Sequence, residues 1–548
     1  MMQLPVEPRR SPALCVIERA RERPNEVAFV VVTRRGDEGE EITWGALLKQ
    51  ATRIASALPP VSAERPVGVM IMCRQEMHFL PALLGVWLRG AVAIPASGGM
   101  TPQIAERNAH ILTSARPEIV LHDLVVTDLA KLQDAAPQAT FHSVTALLQT
   151  EEPMPVSEVR AGGGLLQYTS GTTSAPKAVR LSEAAISHNC EAIRRTYNLT
   201  PDLVGVHWLP LHHDMGLIGS VVTVLWTGGM SVLLRPTVFI QDPLAWAAAM
   251  TKWGATITSA PNFAYARLAD AASTGDCSEI DLSSLENVIV GGEPVRQETV
   301  ETLLQRFATS GLRPDAIAPS YGMAESTLLI SSGQKCGGPT YITTKEGRVV
   351  PSLGKAVAGQ SLTVWNDGSP CREGEVGRLW ASGASLGAVV PTDQDWRDPR
   401  FAAADPYVDT GDFGFVHNGE IFVTGRVANK VIIRGRNIYA EDIEDVASQV
   451  VPEIGAGGLA AFAMEGGDTE HLYLVLELPR SATFHHLPEL NHAIGRRYGV
   501  KLDRVIALRG ACLPRTSSGK VRRSEAKRLF LKGAFEKRIV SDVRQSNH

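Results

Sequence analysis

From about residue 13 to residue 310, helix-length segments alternate with short apolar runs. The run Val67-Gly-Val-Met-Ile-Met72, for example, is followed by helical residues 77–88 and then by Ala91-Val-Ala-Ile94. Strands spaced by helices in this way pair in parallel and are covered on their faces, so the pattern predicts α/β architecture with helix-covered sheets. At 548 residues the chain is too long for one core, and two or more domains are expected, one of them large. Between about 340 and 425 the texture changes to short Gly-, Val- and Thr-rich segments. Ser361-Leu-Thr-Val-Trp365, Gly377-Arg-Leu-Trp380 and Ile421-Phe-Val-Thr424, with turns such as Asn366-Asp-Gly368, predict a small β-rich subdomain.

After Arg426 a second α+β unit begins. Strand residues 431–433 lead into a helix with the stripe Ile443, Ala447, Val450. Strands are expected at 459–464, 472–478 and 505–508, with a turn at Gly466-Gly-Asp468, and the last ten or so residues are expected to fray. The expected division is a large N-terminal domain over 1–425, a hinge at 426–430 and a smaller, mobile C-terminal domain over 431–548.

Charge and cysteine usage narrow the function classes. With 54 basic and 58 acidic residues, the net charge of −4 provides no field for nucleic acid or an anionic membrane. Residues 215–234 are uncharged and long enough to span a bilayer, but Gly228-Gly229 breaks them into a buried helix and a strand, so no membrane span is expected. The seven cysteines stand singly, without a C-x-x-C pair, as reduced thiols of a cytoplasmic protein do. The N-terminal residues carry prolines and charges where a signal peptide needs an apolar run.

The chemistry is concentrated in Tyr168-Thr-Ser-Gly-Thr-Thr-Ser-Ala-Pro-Lys177. Thr169, Ser170, Thr172 and Thr173 supply hydroxyls, Gly171 lets the backbone turn inward, and Lys177 adds a cation, which suits a loop that grips a polyphosphate. Pro176 and Ala178 flank the lysine where the G-x-x-x-x-G-K-[ST] loop needs glycine and a hydroxyl, so the ordinary ATPase loop is excluded. Taken alone, the tract is also compatible with a Ser/Thr-rich surface turn.

The tract resembles the signature loop of the adenylate-forming superfamily, which includes acyl- and aryl-CoA synthetases, peptide-synthetase adenylation domains, luciferases and fatty acyl-AMP ligases. Further segments fall in that family's order. Ser320-Tyr-Gly-Met-Ala-Glu-Ser326 resembles its adenine and magnesium motif, which implies nucleotide contacts from Ser320, Tyr321 and Gly322 and an oxygen ligand to Mg²⁺ from Glu325. Gly291-Gly-Glu-Pro294 resembles the turn lining the other side of the adenine, with Gly292, Glu293 and Pro294 as its contacts. Tyr407-Val-Asp-Thr-Gly-Asp412 looks like the ribose motif, Asp412 accepting from both hydroxyls, and Arg426 looks like the arginine that follows it. Pro514-Arg-Thr-Ser-Ser-Gly-Lys520 resembles the C-terminal catalytic motif, which implies that Lys520 bridges the substrate carboxylate and the α-phosphate. ATP and Mg²⁺ are the implied cofactors.

Trp208-Leu-Pro-Leu-His-His-Asp-Met-Gly216 is similar to fatty acyl-AMP ligases, where a histidine gates the acyl pocket; His213 takes that place, with His212 beside it as the alternative. Ala260-Pro-Asn-Phe-Ala-Tyr265, Gly292-Glu-Pro-Val-Arg296, Ile433-Arg-Gly-Arg-Asn-Ile-Tyr439 and Ala324 look like the same subfamily. The resemblance implies a fatty acid substrate, with the apolar residues 221–226 as a tunnel wall, and transfer of the acyl group to an acyl carrier protein. It also implies two arrangements of the C-terminal domain, one for each half-reaction. Two departures stand out: residues 327–353 are shorter than the subfamily's CoA-disfavouring insertion, and Ala428 replaces the usual hinge Lys or Asp. A fatty acyl-CoA synthetase and, more remotely, a non-catalytic adenylate-binding partner protein remain the alternatives.

Overall fold

The computed structural model describes residues 10–61, 66–99, 101–150, 152–160, 162–169, 177–333, 337–344, 348–433, 436–451, 453–454, 457–466, 469–479, 482–516 and 519–544. The predicted alternation produces two large, mostly parallel sheets. One has nine strands in the order Lys355–Ala356, Leu329–Ser332, Ile317–Gly322, Asn287–Val290, Ile257–Ala260, Val204–His207, Met230–Leu234, Val27–Val32 and Glu40–Thr43. The other has seven: Ala388–Val390, Ala178–Leu181, Leu165–Tyr168, Val92–Pro95, Gly68–Met72, Ile119–His122 and Thr140–Ser143. Pairing is parallel inside each sheet and antiparallel only towards its edges.

Alternation along the strands assigns their faces. In Val27–Val32, Phe29 and Val31 join a core shared with the second sheet, whereas Val30 and Val32 face a separate core on the far side. The shared core also takes Val69 and Ile71 from the seven-stranded sheet and helices such as Trp44–Ser56 and Glu76–Leu88, and a further core covers that sheet's outer face. Helices therefore lie between the sheets and on both outer faces. Such burial of Val, Ile and Leu strands on both sides is the dominant stabilising term here, at roughly 1.5–3 kcal/mol for each large side chain.

The β-rich subdomain is present as a five-stranded antiparallel sheet, Ser369–Pro370, Gln360–Asn366, Gly377–Gly383, Val408–His417 and Glu420–Arg426. Its Asn366-Asp-Gly368 turn has φ of +47° at Asp367 and +78° at Gly368, the left-handed pair that a tight hairpin demands. Beyond it, residues 427–429 form a single 3₁₀ turn, and two cores draw only on residues from Val431 onward. The helix Ala440–Val450 buries Ile443 and Ala447 as the stripe predicted. Residues 215–227 form the expected buried helix, π-helical over Met215–Val222 and ended by Gly228 at φ +85° before strand Met230–Leu234. One expectation changes. The C-terminal tail does not fray at once, because Ile539–Arg544 pairs with Arg504–Arg509, with Val543 opposite Val505. The turn at Gly467-Asp468 lies outside the described residues. Among the described residues no helix is long and apolar enough to cross a membrane, and the described cysteines are free.

Candidate active site

Several parallel strands end beside one another, and the segments leaving their carboxyl ends enclose a cavity of about 1070 Å³. Thr169 follows strand Leu165–Tyr168, Leu209 follows Val204–His207, Pro261 follows Ile257–Ala260, and Gly291 follows Asn287–Val290. Loops at such strand ends are free of sheet pairing and so can carry ligand-binding groups, as is general in α/β sheets.

The Ser/Thr/Gly tract connects strand Leu165–Tyr168 to its antiparallel neighbour Ala178–Leu181. Its ends hold each other, the Thr169 N–H donating to the Lys177 carbonyl at 2.9 Å, and both residues line the cavity. Ser170, Gly171, Thr172 and Thr173 lie outside the described residues. On the cavity wall, Gly292 adopts φ +74°, which its lack of a Cβ permits. Glu293 accepts the Phe263 N–H at 2.5 Å, at the start of helix Asn262–Thr274, so this carboxylate fixes the turn from which the Gly292 carbonyl projects.

Strand Ile317–Gly322 brings in the next group. The Ser320 hydroxyl is buried and bonded to Tyr197 and Ser332 at 2.9 and 3.0 Å, so it braces the strand. Gly322 is required sterically, since a Cβ there would stand 1.8 Å from the Leu328 carbonyl oxygen. Tyr321 donates its hydroxyl to Asp412 Oδ2 at 2.6 Å, while Arg426, directly across the antiparallel ladder, stands 3.4 Å from Asp412 Oδ1. Burial raises the Asp412 carboxyl pKa and Arg426 opposes the rise. A carboxylate has about four acceptor positions, so each oxygen retains capacity for a diol.

Glu325 lies in the 3₁₀ turn Ala324–Ser326 and lines the same cavity. Burial raises its pKa, and the charge of Asp214 adds to the effect. Asp214 is itself raised by burial and accepts the Met215 N–H at 2.8 Å, capping the helix that follows. This second carboxylate escaped the sequence reading although it stands beside His213; an aspartate just before an apolar run is a helix-start signal. Two desolvated carboxylates that line one cavity, Asp214 raising the proton affinity of Glu325, favour a bound cation. Among the described residues no three His, Cys, Asp or Glu cluster as a self-sufficient metal site. Magnesium, which takes one or two carboxylates and completes its shell with phosphate oxygens and water, suits that donor set.

His213 lines the cavity, whereas His212 is not among its lining residues. Burial, with His212 and the Arg107 and Lys520 cations nearby, holds His213 well below its ordinary pKa, so its imidazole is neutral. The apolar lining is supplied by Ile193, Ile257, Ile289, Leu328 and Leu329. The expected wall at 221–226 needs correction. Thr223 alone of that stretch reaches the cavity, whereas Val221, Val222, Val224, Leu225 and Trp226 are packed in the shared core. Helical periodicity explains this: Met215, Gly219 and Thr223 share the cavity face, and the residues between them point away.

Lys520 arrives from the C-terminal segment. A tight turn presents it, with the Thr516 N–H donating to the Lys520 carbonyl at 2.7 Å and Gly519, at φ +87°, set against Phe263. Its ammonium donates to the Gly292 carbonyl. Burial lowers the lysine pKa, with Glu293 acting against the shift. Other bonds hold this approach: Arg296 to Asp445 at 3.0 Å, Arg348 to Asp442 at 3.0 Å, and Asn429 to Glu441. Of these residues only Arg296 stands in a string quoted above; Arg348, Asn429 and their C-terminal partners carry no sequence motif.

Comparison with known proteins agrees with the geometry. The family model described as AMP-binding enzyme matches residues 16–388. The chain is 29% identical over 544 residues to a medium-chain-fatty-acid--[acyl-carrier-protein] ligase of Moorena producens, covering 91% of each chain. It is 29% identical over 595 residues to a long-chain-fatty-acid--AMP ligase of Mycobacterium marinum, covering 98% of this chain and 100% of that one. Among solved structures, one from a study of fatty acyl-adenylate ligases from E. coli and L. pneumophila superposes with a TM-score of 0.81 at 26% identity, covering 96% of this chain and 98% of the other.

Proposed function

The chain belongs to the AMP-binding enzyme family, and from that premise we propose that it is a ligase that activates a fatty acid as acyl-AMP and passes the acyl group to the phosphopantetheine thiol of an acyl carrier protein. The observation that carries this reading is the meeting of Lys520, Gly292, Glu325 and Asp412 around one cavity that also has an apolar lining. The relatives described above, named as fatty-acid ligases, support the same substrate class. A cytoplasmic setting belongs to the proposal, with the free described cysteines in its support.

In the first half-reaction a carboxylate oxygen attacks the α-phosphorus of ATP, the bond from that phosphorus to the bridging oxygen breaks, and pyrophosphate leaves. Such a transfer depends on position and charge neutralisation more than on a protein nucleophile. Lys177, which closes the hydroxyl tract in sequence, would meet the β- and γ-phosphates, Asp412 and Arg426 hold the ribose, and Tyr321 with the 292–294 turn frames the adenine. Lys520 stabilises the charge that builds between carboxylate and α-phosphate. Glu325, with Asp214 on the same cavity lining, would hold Mg²⁺, which when bound neutralises phosphate charge. Neutral His213 gates the acyl pocket without placing a second cation beside the carboxylate. For the second half-reaction we assign residues 426–430 as the hinge between a large domain over 1–425 and a mobile domain over 431–548.

The test is pyrophosphate exchange over a panel of carboxylic acids. Medium- or long-chain fatty acids should support faster exchange than aryl or amino acids, and faster exchange with an amino acid than with dodecanoate would refute the assignment. A second variant examines the ribose site. Asp412→Asn removes a charge and one strong acceptor, so KM for ATP should rise roughly tenfold, the equivalent of about one hydrogen bond to a charged group. Steady-state kinetics with ATP and acid varied separately would show it; an unchanged KM for ATP would remove Asp412 from the ribose site.

A further inference from the structure

The apolar lining of the cavity is interrupted at one place. His207 ends strand Val204–His207, and Ser259 lies on the neighbouring parallel strand Ile257–Ala260, in a register that sets Gly205 against Ile257. Two residues further along each strand, on the same face, His207 and Ser259 therefore stand side by side. His207 Nδ1 and Ser259 Oγ are 3.3 Å apart, and both residues line the cavity, although His207 is only 2% and Ser259 5% exposed. Among the described residues neither side chain has another hydrogen-bond partner.

The capacity left over has a definite character. Burial drives the His207 pKa down to about 3, so the ring is neutral and carries one N–H. If Ser259 donates to Nδ1, the histidine Nε2–H is the remaining donor and the serine oxygen keeps an acceptor lone pair. If Nδ1–H donates instead, the serine O–H is the remaining donor and Nε2 is the acceptor. In either tautomer one donor and one acceptor remain. A hydroxyl group, which donates and accepts, satisfies both; a methylene satisfies neither.

The position along the ligand follows from the helix beside the pair. Met215 Sδ lies 3.4 Å from the point where a Cβ on Gly292 would stand, next to the Lys520 ammonium, so Met215 marks the reacting end. One turn on, the corresponding point on Gly219 is 3.9 Å from Ser259 Oγ. Four residues of helix rise by no more than about 6 Å, the reach of a few carbon atoms. On the fatty-acid reading proposed above, we infer that His207 and Ser259 form a hydrogen-bonding subsite for a hydroxyl borne on the acyl chain a few carbons from its carboxylate, and that hydroxylated fatty acids are the preferred substrates. A site with buried polar groups aimed at a substrate hydroxyl penalises the analogue that lacks it, because those groups are then left unpaired.

The experiment compares decanoate with its positional hydroxydecanoate isomers in pyrophosphate exchange on the full-length wild type. One isomer hydroxylated within a few carbons of the carboxylate should exceed decanoate in kcat/KM by about tenfold or more. Ser259→Ala and His207→Leu should each collapse that ratio towards one, with melting curves recorded alongside. Decanoate matching or exceeding every hydroxylated isomer on the wild type overturns the inference while the fatty-acid reading stands, and this arm needs no variant to fold. A folded Ser259→Ala that keeps the wild-type ratio overturns it as well. Absence of exchange with every fatty acid, hydroxylated or not, defeats the fatty-acid reading and this inference with it.

Discussion

Replacing Lys520 with alanine should cut acyl-AMP formation by roughly 10²–10³-fold while ATP still binds. The ammonium reaches the cavity from a turn of the C-terminal segment and meets the Gly292 carbonyl, whereas Lys177, Tyr321, Glu325 and Asp412 reach the cavity from segments that precede residue 426. Removing a group that acts on charge developing in the transition state lowers kcat without a matching loss of ground-state affinity. A single preorganised donor of this kind is worth roughly 10²–10³-fold in rate. Exchange should therefore fall by roughly that factor, with ATP affinity, measured by calorimetry on the same preparation, little changed. Near-normal exchange would remove Lys520 from the chemistry, and lost ATP binding would make it a binding residue. Because burial lowers its pKa, the activity carried by Lys520 should also be lost at a lower alkaline pH than an exposed lysine would allow.

The contrast between Lys520 and its surroundings shows which features the sequence displays. Lys520 and Gly292 stand in turns, and Asp412 follows Gly411, at φ +72°, within strand Val408–His417, so backbone geometry restricts the residue types around each and embeds it in a short recognisable string. The two large sheets were legible for a related reason: strands buried on both faces must be apolar throughout, and helices must separate them. His207 and Ser259 carry no such mark. They are 52 residues apart, and their contact depends on the parallel register of two strands whose pairing no local pattern specifies. The bond of Arg348 to Asp442 is equally silent, and the string that holds Arg296 does not name Asp445 as its partner, since a charged residue at an interface looks like any solvated one. The tunnel wall was misplaced by reading residues 221–226 as one apolar block; the helix turns most of them into the core, and its π-helical first half shifts the phase from which Gly219 and Thr223 reach the cavity. Such π segments gather at functional sites, but no residue type announces them.

Ala428→Pro should separate the two half-reactions. In the arrangement seen here, Lys520 is delivered to Gly292, and residues Val427–Asn429 form a 3₁₀ turn closed by the Lys430 N–H on the Val427 carbonyl. The middle residue of such a turn has φ between about −50° and −70°, which is where a proline ring fixes it. The substitution thus suits this arrangement in φ, with a modest cost at Val427, because a residue before proline avoids helical ψ. With the hinge proposed above, opening a path for a thiol would turn the C-terminal segment away, breaking the Arg296–Asp445 and Arg348–Asp442 pairs and changing φ/ψ at a few hinge residues. Proline resists that change at the position where alanine imposes no charged anchor. Acyl-AMP should therefore form at close to the wild-type rate and accumulate, while transfer to carrier protein fails. Single-turnover measurement of each step, with purified acyl-AMP supplied for the second, distinguishes the outcomes. Equal loss in both steps would confine Ala428 to folding, and no loss in either would move the hinge to Asn429 or Lys430, where the Asn429 bond to Glu441 would have to break instead.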